Sequence, residues 1–96
     1  MSLLYIVSVI ERLDPSPAPE RTLRDAGLQP SPWSAGPGAV FGRHRHPRPK
    51  RLYVVEGAIS FDGLGLATGE GIRIPAGVEH SAVAGHTGVR CVEAFE

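Results

Sequence analysis

From Val40 onward the chain runs in short apolar or alternating stretches, Leu52 to Val55, Ala58 to Phe61, Gly71 to Ile74 and Val89 to Phe95, separated by Gly, Pro and Asp. Alternation with a period of two and enrichment in β-branched and aromatic residues are marks of strands. Glycines at 57, 63, 65, 69, 71, 77, 85 and 88 offer positive-φ turns too often for any long helix. The pattern predicts an antiparallel β domain.

The first third reads differently. Leu3 to Ile10 is apolar on both alternating faces, as in a strand covered on both sides, and a helix fits almost as well. Asp14-Pro15-Ser16-Pro17-Ala18-Pro19 then breaks regular structure, because each proline removes a donor and pushes its predecessor toward extended conformations. Glu20 to Ala26 fits two helical turns, with Pro19 at the entry and Gly27 at the left-handed exit.

Composition narrows the functional classes. A chain of 96 residues makes one domain with a modest core, and such a domain gains from a metal or a second subunit, so a homodimer is expected. Ten basic and ten acidic residues cancel, which argues against nucleic acid and against an anionic membrane surface. The apolar run near the start is well short of the roughly 20 residues needed to span a bilayer. The single cysteine, Cys91, closes no internal disulfide, and residues 1–13 lack a cationic leader and cleavage site, so the expected compartment is the cytoplasm.

Candidate chemistry sits on three histidines. His44 and His46 are two apart, the spacing at which an extended strand presents two side chains on one face. His80 follows Pro75 and Gly77, whose tight turn is suited to bringing a third imidazole back across a barrel. Three imidazoles with open positions suit transition metals and suit Mg or Ca poorly. The competing reading is a metal-free barrel in which the histidines hydrogen-bond one another or water.

These spacings resemble both motifs of the cupin superfamily. Gly38, His44, His46 and Gly57 fall in register with the first motif, and Gly69, Pro75, Gly77 and His80 with the second. Lys50 stands where that family carries a glutamate, and Ala84 where it carries an asparagine. The resemblance covers residues 33–96 and implies an all-β fold, the double-stranded β-helix or jelly-roll barrel, behind an N-terminal arm of residues 1–32. It carries His44, His46 and His80 over as ligands of one divalent transition metal, Fe, Zn, Ni, Mn or Cu. The carboxylate ligand does not carry over, since an ammonium group has no lone pair to donate.

Lys50 belongs to a run, Arg43, Arg45, Arg48, Lys50 and Arg51, with half of the ten basic residues and no acid between them. Lys50, Arg43 and Arg45 are therefore candidate contacts for a small anionic ligand. The alternative is a solvated loop that keeps a sheet edge from pairing with other chains. Cys91 and Glu93 alternate on the last strand and can face the cavity, although a lone cysteine there is more often core. Glu56, Glu79 and His86 are expected to be exposed, His86 in a turn. Trp33 and Tyr53 are expected to pack in or near the barrel.

Two functional classes follow. One is a metal-dependent cupin of dioxygenase, isomerase or decarboxylase type acting on a small anionic metabolite; the other is a metal-free binding or sensor module. No residue stands out as a general base.

Overall fold

The computed structural model describes residues 10–96, which form in chain order β1 (Glu11–Leu13), α1 (Pro19–Asp25), β2 (Ser31–Ala35), β3 (Val40–His44), β4 (Lys50–Phe61), β5 (Leu64–Ala67), β6 (Gly71–Ile74) and β7 (His80–Phe95). All but Ile10 of the apolar segment expected as a strand lies outside the described residues. β1 pairs antiparallel with β6, and β2 with β7.

β4 and β7 pair along most of their length and belong to two layers at once. The first half of β4 lies between β6 and the second half of β7, with Lys50 opposite both Ile74 and Phe95. Its second half lies between β5 and the first half of β7, which in turn pairs with β3. One apolar core fills the space between the layers, drawn from Leu52 and Val54 on one side and Ile59, Phe61 and Ala82 on the other. This is the jelly-roll barrel expected from the motifs.

The sequence pattern divides β4 into two runs, Leu52 to Val55 and Ala58 to Phe61, and marks only Val89 to Phe95 of β7, with turns at the glycines between. Gly57 and Gly88 do have positive φ, 86° and 87°, yet both lie inside strands. The β4–β7 register shifts around Gly57, and a Cβ added there would collide with the Gly88 carbonyl oxygen. These glycines form bulges, where the strands bend from one layer into the other instead of reversing. His86 accordingly sits within β7 and not in a turn, though it is exposed as expected. Asp62-Gly63 is a true reversal: both residues have positive φ, 47° and 85°, as a two-residue hairpin between β4 and β5 requires.

Tyr53, Val92 and Ala94 point to the outer face of the first layer, where Leu23 of α1 covers them with help from Leu13 and Leu28. Because that layer is covered on both faces, Leu52-Tyr53-Val54 shows no alternation of burial. The helix ends as the sequence suggests. Gly27 takes φ 84°, its N–H donates to Arg24 O at 2.9 Å, and the Leu28 N–H donates to Leu23 O at 3.1 Å. That bond pattern is a Schellman motif, with Leu28 packed beside Leu23 as its apolar contact. Among the described residues no helix is long and apolar enough to cross a membrane.

Candidate metal centre

The three histidines reach one spot from two chain segments. His44 is the last residue of β3 and lies opposite His80, the first residue of β7. A register shift between Phe41 and His44 sets three residues of β3 against two of β7. Simple alternation would send Phe41 and His44 to opposite faces; the bulge lets both line the interior. His46 follows just beyond β3, where its carbonyl accepts from the Gly77 N–H at 2.8 Å. Gly77 has φ 75° in a turn closed by Val78 N–H to Pro75 O at 3.4 Å, and this turn delivers His80. The Pro-x-Gly spacing thus sets both the second and third imidazoles.

One ligand-capable nitrogen from each ring lies within 4.8 Å of the others, and the ring centroids are 4.4 to 5.1 Å apart. His44 Nδ1 is 2.7 Å from Gly42 O and His80 Nδ1 is 2.9 Å from Val78 O. With those nitrogens as donors, the Nε2 lone pairs are left to face a metal, the arrangement that outer hydrogen bonds commonly impose on ligand histidines. His46 Nε2 and His80 Nε2 are buried and have no hydrogen-bond partner among the described residues. An orphaned buried polar atom costs about 1–3 kcal/mol, which a bound cation would offset. Burial lowers the pKa of both His46 and His80, and the Lys50 charge adds to the lowering, so the neutral, ligating form is favoured.

Lys50 lies beside these rings and is only 7% exposed. Its ammonium group is 3.0 Å from Glu93 Oε1 and 5.8 Å from the centre of the Phe95 ring, which in turn meets His46 edge-on at 5.6 Å. The Trp33 indole N–H donates to the same Glu93 oxygen at 2.8 Å. Lys50, Glu93, Trp33, His44 and His80 share the lining of a cavity of about 410 Å³ with Phe41, Ile59 and Phe61. Cys91 packs in the apolar core, with its thiol pushed up to about 12 chiefly by burial.

The rest of the basic run is spent on acids at the surface. Arg43 pairs with Asp62 at 3.1 Å, and both Arg43 and Arg45 approach Glu79, at 3.8 and 3.7 Å. Arg51 and Arg73 grip the Glu96 carboxylate, and Arg48 donates to the Glu96 main-chain oxygen. Arg43 and Arg45 are not among the residues that line the cavity; of the five basic residues, Lys50 alone is. Glu56 and Glu79 are exposed, with 71% and 53% of their side-chain surface in solvent.

A family model for the cupin domain matches residues 33–95. The chain belongs to the cupin family. Among solved structures, this cupin is similar to an RmlC-like cupin from Shewanella frigidimarina, with 30% identity and a TM-score of 0.61 over 71% of this chain and 64% of that one. A DUF861 family protein from Thermotoga maritima shares the fold at 16% identity, with a TM-score of 0.66 over 91% of this chain and 99% of that one. So does a chain in the structure of SigE in complex with the anti-sigma ChrR from Rhodobacter sphaeroides, at 18% identity and a TM-score of 0.65 over 72% of this chain. This cupin spans only 39% of the length of that last chain. A search of curated proteins finds no match.

Proposed function

We propose that this cupin holds one divalent transition metal through His44, His46 and His80 and binds a small organic acid in the adjoining cavity. The observation that carries the proposal is the pair of buried, unpartnered Nε2 atoms of His46 and His80 beside His44. Three neutral imidazoles leave the ion's charge uncompensated and its remaining positions open, which favours an anionic ligand. When bound, the metal would polarise an oxygen of that ligand. Lys50 supplies a second positive charge in the same cavity, while Arg43 and Arg45 lie outside its lining and pair with Asp62 and Glu79.

The test is elemental analysis of the purified chain beside His44→Ala, His46→Ala and His80→Ala variants. About one equivalent of metal in the parent and little in each variant is expected for a mononuclear site. No metal after reconstitution would leave a metal-free ligand-binding barrel as the better reading. That second reading draws on Lys50, whose buried ammonium group has no lone pair to coordinate and adds positive charge near the imidazoles.

A further inference from the structure

The cavity contains an ion pair that the metal site does not use. Glu93 is the only acid in its lining, and both Lys50 and Trp33 end on its Oε1. A carboxylate offers about four acceptor positions. Among the described residues none donates to Oε2. The cavity therefore sets a partly used acceptor in one lining with Lys50, His44 and His80 and with the apolar side chains of Phe41, Ile59 and Phe61. A ligand with an acid group alone would expel water and leave that acceptor unmet. Such sites discriminate steeply against analogues that lack the matching donor.

We propose that Glu93 is a specificity-determining residue, held in place by Lys50 and Trp33, that selects a 2-hydroxy acid with an apolar tail. The acid group would meet Lys50 and an ion held by the histidines, the hydroxyl would donate to Glu93, and the tail would lie against Phe41, Ile59 and Phe61. This rests on the small-acid reading above and narrows it.

3-Phenyllactate and 3-phenylpropionate share ring, chain and carboxylate and differ only in the hydroxyl. Both are titrated calorimetrically into zinc-loaded and zinc-free parent chain, and into Lys50→Met/Glu93→Leu, which replaces both members of the ion pair by apolar groups of similar size and so leaves neither charge unpaired. The parent is expected to prefer phenyllactate by about ten-fold or more, and the double variant by less than about three-fold. A 2-hydroxy acid can also chelate zinc through its hydroxyl, so a preference that survives intact in the double variant overturns the assignment to Glu93. Equal affinity of the parent for the two acids, or no binding of phenyllactate, overturns it as well. The zinc-free arm separates the two readings. A chain that holds no zinc yet keeps a Glu93-dependent preference removes the metal and sustains this inference.

Discussion

Lys50 is the residue at which this cupin departs most from the motif it otherwise follows, and the structure shows what the departure does. An ammonium group beside three imidazoles opposes a cation, and Glu93 at 3.0 Å answers only part of that charge. Lys50→Met is therefore expected to tighten zinc binding about ten-fold, on the order of 1–2 kcal/mol for one nearby charge. A competition titration against a chelator reads this, and an unchanged affinity would place the Lys50 charge outside the electrostatic reach of the metal. The same variant leaves Glu93 without its ion-pair partner and should lower unfolding stability by about 1–3 kcal/mol. His44 and His46 were legible in the sequence through their spacing of two on a strand, and His80 through the motif that the chain resembles. The Lys50–Glu93 pair was legible only in part. Alternation places Glu93 on the same face as Cys91, but which of the ten basic residues it meets depends on the pairing of strands far apart in sequence.

At the scale of elements, the glycines were visible but their roles were not. A glycine with positive φ serves a hairpin or a bulge equally well, and only the partner strand decides. Asp62-Gly63 reverses the chain, whereas Gly57 and Gly88 face each other inside β4 and β7 and keep each strand whole across the bend. Gly57→Ala should cost about 2–4 kcal/mol, from a disfavoured positive φ together with the collision against Gly88. Gly65→Ala, in β5 with open space around its Cβ direction, should stay within about 0.5 kcal/mol of the parent. Urea denaturation of the two variants checks the contrast, and equal losses would mean that the bend does not depend on Gly57. The bulge between Phe41 and His44 was hidden in the same way, since alternation alone assigns those two side chains to opposite faces.

For the molecule as a whole, two linkages set when the barrel is most stable. At its edge, the Arg73 and then the Arg51 guanidinium hold the Glu96 carboxyl down at about 2, and Arg73 also reaches Glu11 of β1 at 3.8 Å. A carboxyl lowered on folding stabilises fully above its ordinary pKa of 4.5 and loses that contribution as pH falls toward 2. Arg73→Gln should thus destabilise the chain only slightly at neutral pH, because solvent screens the cluster, and the difference should fade as pH falls through about 2. An acid titration of both chains reads the converging curves, and a constant offset would exclude the carboxylate as the cause. The second linkage runs through the histidines. A ligand that binds only the folded chain adds about 2.7 kcal/mol at a hundred times its dissociation constant. In a domain of this size that is a rise of roughly 10–20 °C in Tm. Zinc at that excess should raise the Tm of the parent by this amount and leave His80→Ala nearly unmoved, because His80 is fully buried where β7 meets β3 and no other described cluster of ligand groups is available. The converse is equally diagnostic. If His80→Ala without metal is already as stable as the metal-loaded parent, the buried Nε2 atoms impose a cost that truncation relieves, and the barrel needs no ion to account for its histidines.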